Sequence, residues 1–122
     1  MVSHITTVKT NIDDINALDA AAKALGLKLS ESNMVRGYSN QKIAADVVWN
    51  ANDKYDVGAV KQPDGTYALV ADWWGVGYEM EEKLLNEYAV QKTLKRAKIM
   101  GHKLKSKTTL SDGTVEIRLV VN

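Results

Sequence analysis

Three aspartates lie within apolar segments of the sequence: Asp46 in AADVV, Asp56 in YDVG and Asp72 in VADWW. A carboxylate that faces a protein core costs several kcal/mol unless it is paired or binds a cation. If the Pro63 turn is a three-residue loop, Asp56 and Asp72 lie opposite each other, and Asp46 shares their face if the preceding turn preserves strand parity. With His4 from the first strand, these residues form a candidate site for a hard cation or for acid–base chemistry.

Two other interpretations of these aspartates remain open. Strand side chains alternate between faces, so the carboxylates could point to solvent while their apolar neighbours fill the core. A shift of one residue in register would also separate the three side chains. Alternatively, they form buried ion pairs with Lys42 or Arg36.

Motifs for metal binding or catalysis are scarce in the sequence. The chain has two histidines, His4 and His102, and no cysteine, which does not predict a zinc site. It contains no Gly-x-Ser-x-Gly elbow and no P-loop. We therefore assign no catalytic residue, metal or cofactor from motifs, and an enzyme interpretation depends on the aspartates alone.

Adjacent tryptophans follow the third aspartate. If Trp73 and Trp74 continue a strand, they point to opposite faces, so one enters the core and the other is free to contact a partner. Tyr78 lies in the same turn region. In the alternative interpretation both tryptophans cover the edge of the core. The GVG segment at Gly75 lacks the third glycine of a dinucleotide fingerprint.

The C-terminal quarter of the chain is basic. Residues 1–91 contain 8 basic and 13 acidic residues, whereas residues 92–122 contain 8 basic and 2 acidic residues. This run could contact phosphates of a nucleic acid or an acidic protein, or it could be a solvated helix face that complements the helix dipole. The absence of interleaved aromatic residues makes nucleic acid the weaker alternative. The candidate anion-binding residues are Lys92, Lys95, Arg96, Lys98 and Lys103.

The elements that must position these residues form the order β-α-β-β-β-β-α-β-β. Antiparallel strands segregated from two helices indicate an α+β domain. We predict one domain, residues 1–122, with an antiparallel sheet of six to seven strands, both helices on one face, and a ferredoxin-like core with additions. The predicted strands are 3–10, 34–38, 43–49, 55–60, 67–71, 103–110 and 114–121, and the predicted helices are 12–25 and 79–100.

Local signals mark the ends of both helices. Asn11 is the predicted N-cap of the first helix, and Gly26 and Gly101 are predicted to end the two helices. The apolar stripe of the long helix is wider than one sheet contact requires, so part of it, including Leu85 and Ala89, is predicted to meet a protein partner or a second copy of the chain.

The composition also excludes some classes of protein. No apolar run approaches the roughly 20 residues of a membrane-spanning helix. The start, MVSHITTVKT, lacks the basic and apolar regions of a signal peptide. We therefore expect a soluble, cytoplasmic protein without a membrane partner.

Seven blocks of sequence carry a family resemblance. They are SHITTVKT from Ser3, VRGY from Val35, ADVV from Ala45, YDVG from Tyr55, YALVADWWGV from Tyr67, YAVQK from Tyr88 and DGTVEIRLVV from Asp112. In this order they resemble the plastid and cyanobacterial conserved open-reading-frame thirty-five family, a domain of unknown function. The resemblance implies a soluble protein of cyanobacteria, plastids or phages without an assigned reaction, often encoded near an AAA-type ATPase.

The sequence and the resemblance together predict a non-catalytic binding or adaptor protein. It would act with a protein partner or as a homo-oligomer, through Trp73, Trp74, Tyr78 and the exposed side of the long helix. The alternatives are a ligand-binding, metal-binding or enzymatic domain that uses the strand aspartates, and a nucleic-acid binder that uses the basic run over residues 92–107.

Overall fold

The computed structural model describes residues 4–101, 103–111 and 114–120, and for residues 103–105 only the backbone. Nine strands and three α-helices follow one another in this part of the chain. They are β1 (Thr6–Val8), α1 (Ile15–Ala24), β2 (Lys28–Leu29), β3 (Met34–Arg36), β4 (Lys42–Ala44), β5 (Val47–Asn50), β6 (Asp56–Lys61), β7 (Tyr67–Ala71), α2 (Trp73–Val76), α3 (Met80–Ile99), β8 (Lys103–Thr109) and β9 (Val115–Val120).

The architecture confirms the α+β class. Five antiparallel strands form the main sheet in the order β1-β7-β6-β5-β2. Its centre is the predicted meander, in which β5, β6 and β7 are joined by short turns. In the second turn Gly65 adopts a φ of 87°, and its amide donates to the carbonyl of Gln62 at 3.0 Å. This left-handed conformation explains why the turn requires glycine.

The remaining strands form two separate two-stranded ribbons, β3–β4 and β8–β9, rather than extending one sheet. The predicted strand 43–49 is divided between the first ribbon and the main sheet. The amide of Ala45 donates to Asn33 beside β3, whereas the next amide, that of Asp46, donates to Ala59 in β6. The backbone therefore changes pairing partner within one residue, which an uninterrupted apolar segment does not reveal.

Three local features also differ from the sequence-based expectations. The N-cap of α1 is Asp14 rather than Asn11, because the Asp14 side chain accepts from the amide of Ala17 at 3.1 Å. The short elements β2 and α2 were not predicted. The long helix and its end before Gly101 agree with the prediction to within one residue at each end.

The main sheet is covered on both faces. On one face α1 and α3 pack over a core that includes Leu18, Trp49, Leu69 and Leu84, all fully buried. On the other face the β3–β4 ribbon packs through Val35 in a second cluster.

The β3–β4 ribbon lies very close to the main sheet. A Cβ atom added at Gly58 would lie 2.4 Å from the Cγ2 atom of Val35, so this approach requires glycine in β6.

The wide apolar stripe of α3 contacts two parts of the chain. Its first half faces the main core, and the helix also packs against β8 and β9 of the C-terminal ribbon. Val90 and Ala97 are buried, Leu85 is half-buried against the core, and Ala89 is exposed. Much of the stripe is therefore covered within the chain itself. In the described part of the chain no helix is long and apolar enough to cross a membrane.

Candidate functional site

Asp56 is the most heavily hydrogen-bonded of the candidate carboxylates. It begins β6 and is 1% exposed. Its Oδ2 atom accepts from the amide and Nε of Arg36, both at 2.9 Å, and its Oδ1 atom accepts from Arg36 Nη2 at 2.9 Å and from Asn50 Nδ2 at 2.8 Å. Burial alone would raise the pKa of Asp56, but the hydrogen bonds from Arg36 and Asn50 outweigh it and hold the pKa below its ordinary value.

Each of the three nitrogens of the Arg36 guanidinium donates a hydrogen bond to the protein. Besides its bidentate contact with Asp56, its Nη1 donates to the carbonyl of Asp53 at 2.7 Å and its Nη2 to that of Asn52 at 3.2 Å. Of the two ion-pair partners considered for the aspartates, Lys42 and Arg36, it is Arg36 that pairs with Asp56. A carboxylate with four donors around it has little capacity left for a cation or for proton abstraction.

Asp72 lies beside Asp56 at the end of the β6–β7 ladder. The last pair of the ladder is Val57 with Ala71, so the register extended by one residue brings Asp56 opposite Asp72, which is also 1% exposed. Its Oδ1 atom caps α2 by accepting from the amide of Gly75 at 3.4 Å, and its Oδ2 atom accepts from the amide of Tyr38 at 3.2 Å. Asp72 therefore fixes the backbone of α2 and that of the loop between β3 and β4.

The other two members of the predicted ion site lie elsewhere. Asp46 is exposed, and its Oδ2 atom accepts from the amide of Lys61 at 2.7 Å. His4 is exposed near the start of β1. Within the described ranges no group of three or more His, Cys, Asp or Glu residues could hold a metal ion. The fold brings together only two of the four, and a site that uses all four stays a prediction.

The two tryptophans are divided between core and surface. Trp73 is 8% exposed, whereas Trp74 is 55% exposed and Tyr78 is 66% exposed. The division arises on the short helix α2 and not, as expected, from the alternation of a strand. Trp74 and Tyr78 therefore present large aromatic side chains to solvent.

The turn that carries Trp74 is fixed by contacts with Tyr55 and Asn52. The Tyr55 ring lies against Gly75 so closely that an added Cβ would be 2.1 Å from its Cε1 atom. Asn52 Nδ2 donates to the carbonyl of Gly75 at 3.0 Å. Tyr55 and Trp74 also meet edge to face, with ring centroids 6.4 Å apart. Sequence reasoning missed this contact, because Tyr55 and Gly75 belong to different turns and no local pattern links them.

Two grooves flank Arg36 where the β3–β4 ribbon meets the turn after β5. One, of about 550 Å³, extends past Ser32, Met34 and Asn50. The other, of about 440 Å³, lies between residues 37–41 and 53–55, and we call it the loop pocket. Its lining residues are Arg36, Gly37, Tyr38, Ser39, Asn40, Gln41, Lys42, Asp53, Lys54 and Tyr55. The sequence singled out three of these residues: Arg36 and Lys42 as possible ion-pair partners, and Gly37 as a possible bulge. It gave no reason to single out the others.

The basic run is partly neutralised within the chain. Lys92 pairs with Asp13, and Lys95 pairs with Asp14 at 2.6 Å, so α3 supplies cations to the two acidic residues that directly precede α1. Hydrogen bonds from Lys92 and Lys95 lower the pKa values of Asp13 and Asp14. The charge asymmetry along the sequence is therefore reduced in space.

The other members of the basic run have different environments. Arg96 and Lys98 are exposed, and Lys107 contacts the buried Glu87 at 3.3 Å. The side chain of Lys103 and the whole of His102 lie outside the described residues. An anion-binding role for the run stays a prediction, with Arg96 and Lys98 as exposed members that form no ion pair within the described residues.

Comparisons with known proteins agree with the resemblance in the sequence. A family model described as "Protein of unknown function (DUF1257)" matches residues 21–120. "Uncharacterized protein ycf35" of Guillardia theta is 31% identical over 97% of this chain and 96% of its own length. The proteins of the same name from Cyanophora paradoxa, 31% identical over 98% and 96%, and Pyropia yezoensis, 28% identical over 95% and 94%, are also similar. No solved structure matches the chain.

Proposed function

Because the chain belongs to the DUF1257 family of proteins of unknown function, we propose its function from its own geometry: a non-catalytic binding or adaptor protein. Its partner contacts the aromatic turn, which we define as residues 73–78. The observation that carries the proposal is the 55% exposure of Trp74 on a turn whose backbone is fixed by the rest of the fold. Tryptophan and tyrosine, together with arginine, are enriched among the residues that dominate binding at protein interfaces.

The rigidity of the aromatic turn supports this role. Asp72 caps its first turn, Asn52 binds the carbonyl of Gly75, and Tyr55 packs beneath it. A side chain that is already held in one place loses less conformational entropy when a partner binds. Trp74 can therefore act as an anchor without reorganisation of the protein around it.

The alternatives receive less support from the geometry. Asp56 already accepts four hydrogen bonds, which leaves little room for catalysis by the strand aspartates. Lys92 and Lys95 pair with Asp13 and Asp14, which weakens the case for a phosphate-binding helix face. We therefore place the function at the aromatic turn.

The first partner to test is an AAA-type ATPase, because relatives in the resembled family are often encoded near one. The complex would form in the cytoplasm, in the plastid stroma for plastid relatives, or in the infected host for phage-encoded ones. A second copy of the chain is the other partner to test, with Ala89 on the exposed side of α3 as an additional contact.

Biolayer interferometry with an immobilised AAA-type ATPase from the same genome tests the proposal. Trp74→Ala and Tyr78→Ala should each weaken binding by about tenfold or more, which corresponds to losing an interface anchor. Leu29→Ala is the matched control, since Leu29 is also 55% exposed but lies at the far edge of the sheet. Its affinity should stay within about twofold of the unmodified protein.

Self-association is measured in parallel by analytical ultracentrifugation. If neither the ATPase nor a second copy binds, or if Trp74→Ala and Leu29→Ala bind equally well, the aromatic turn is not the working surface.

A further inference from the structure

We propose that the loop pocket binds a small aromatic anion, that is, a flat ring carrying a phosphate or carboxylate group. This site is separate from the aromatic turn and goes beyond the proposed protein-binding function. The inference combines two tyrosine rings, two exposed lysines and two preorganised loops around one cavity of about 440 Å³.

Aromatic rings from two segments contribute to the walls of the pocket. Tyr38 comes from the loop between β3 and β4 and is 44% exposed, and Tyr55 comes from the segment before β6. The Tyr55 ring packs against Gly75 and Trp74, which immobilise it. The same ring also lines the pocket. Tyrosine rings offer a planar ligand stacking or edge-to-face contacts at little entropic cost.

The charge of the lining favours an anion. Lys42 and Lys54 are both exposed, and Asp53 is the one acid among the residues that line the pocket. Arg36 also lines it, but its guanidinium is already bound by Asp56 and by two carbonyl oxygens. Because the Arg36–Asp56 pair cancels, the two lysines exceed Asp53 by one positive charge. Arg36 thus shapes the pocket, and the lysines are the groups able to meet a ligand.

The loop between β3 and β4 is a closed hairpin turn. The amide of Gly37 donates to Gln41 at 2.9 Å and the amide of Gln41 donates to Tyr38 at 3.1 Å. Within this closed loop Ser39 and Asn40 both have left-handed backbones, with φ of 54° and 64°. Two consecutive left-handed residues are what a two-residue type I′ hairpin turn requires, so the local hydrogen bonds and this turn fix the shape of the loop.

The opposite wall of the pocket is equally well defined. Asn52 Oδ1 accepts from the amides of Lys54 at 3.0 Å and Tyr55 at 2.9 Å, which sets the course of the chain that carries both side chains. Across the pocket the amide of Tyr38 donates to the buried Asp72. The backbone that carries the side chains of the pocket is therefore held by Asn52 and Asp72, as expected for a site formed before its ligand arrives.

Isothermal titration calorimetry of the complete chain, without any partner protein, tests the proposal. Phenyl phosphate and adenosine 5′-monophosphate are the probes, and inorganic phosphate and adenosine are the controls that each lack one recognition element. We expect saturable binding of at least one probe below about 10 mM, with both controls weaker by about tenfold or more. Binding of phosphate alone with equal affinity would overturn the role of the rings.

Substitutions then locate the binding site. Lys42→Ala and Tyr38→Ala should each weaken probe binding about tenfold, while Tyr38→Phe, which keeps the ring, should retain it. Lys28→Ala is the control, because Lys28 is exposed on β2 and does not line the pocket. Far-ultraviolet circular dichroism verifies that each variant is folded.

Two results would overturn the proposal: no saturable binding of either probe, or binding that Lys42→Ala and Tyr38→Ala leave unchanged. Neither result affects the partner-binding test, which uses a different ligand and different variants. A failure of the loop pocket is therefore distinguishable from a failure of the aromatic turn.

Discussion

Arg36 and Asp56 connect the β3–β4 ribbon to the main sheet through a bidentate ion pair, with Nε and Nη2 each 2.9 Å from a carboxylate oxygen. Asp56 is 1% exposed, whereas the side chain of Arg36 is 37% exposed. The same guanidinium reaches the carbonyl oxygens of Asn52 and Asp53, so one side chain joins three segments. Arg36 also lines the grooves on either side of it.

Arg36→Met should destabilise the protein by about 3 kcal/mol, because it leaves the Asp56 carboxylate buried without its cation. Urea unfolding followed by circular dichroism measures the loss as a lower midpoint at an unchanged slope. Lys23→Ala is the control, since it removes an exposed ion pair with Asp19 and should cost less than about 1 kcal/mol. Equal effects of the two substitutions would show that the buried ion pair contributes no more to stability than the exposed one.

The stability of the protein should fall as the medium is acidified. Burial alone would raise the folded-state pKa of Asp56. Hydrogen bonds from Arg36 and Asn50 outweigh burial and lower this pKa. A lowered folded pKa contributes stability that is present above the unfolded value of about 3.9 and is lost as pH falls through the folded pKa. The urea midpoint measured from pH 7 down to about pH 3 checks this.

The Asp56→Asn variant isolates the titration of this one carboxyl group. It should be less stable than the unmodified protein at pH 7 and should lose less further stability on acidification. If the two proteins show parallel pH profiles, Asp56 is not a source of the acid sensitivity.

Tyr88→Phe should destabilise the protein by about 1–3 kcal/mol, because the lost hydroxyl of the buried Tyr88 satisfies two partly buried backbone amides. Tyr88 Oη accepts from the amides of Asp13 and Asp14, each at 3.2 Å, and donates to Asp13 Oδ1 at 3.1 Å. Tyr78→Phe is the matched control at a tyrosine that is 66% exposed, and its effect should be within about 0.5 kcal/mol. Thermal or urea unfolding distinguishes the two, and equal stabilities would contradict the assigned role.

Gly75→Ala should destabilise the aromatic turn by about 1–3 kcal/mol through overpacking. The new methyl group would lie 2.1 Å from the ring of Tyr55, so either the ring or the turn must move. The environment of Trp74, seen by fluorescence and near-ultraviolet circular dichroism, should change at the same time. Adding Tyr55→Ala should recover part of the loss by making room for the methyl group, and the absence of any recovery would contradict this explanation.

Local sequence determined the elements whose formation depends on neighbouring residues. The strand at residues 67–71 was predicted to the residue, and the long helix agrees to within one residue at each end. The helix-terminating roles of Gly26 and Gly101 are consistent with their positive φ angles. Hydrophobic periodicity and turn-forming residues depend on only a few neighbouring positions, so both can be recognised without knowledge of the fold.

Part of the candidate site was also predictable. A three-residue loop at Pro63 was the condition under which Asp56 would lie opposite Asp72. The Gln62–Thr66 hydrogen bond and the β6–β7 register, extended by one residue, agree with it. The same reasoning could not tell that Asp46 would lie exposed, since that depends on the change of pairing between Ala45 and Asp46.

Tertiary structure alone decided which distant groups meet. Lys92 and Lys95 neutralise acids that lie 79 and 81 residues earlier in the chain, and this pairing reduces the charge asymmetry that the sequence displays. Likewise, Tyr55 supports Trp74 from another turn and lines the loop pocket opposite Tyr38. Such contacts follow from the packing of whole elements against each other, and the energy of that packing is not encoded in any local window of residues.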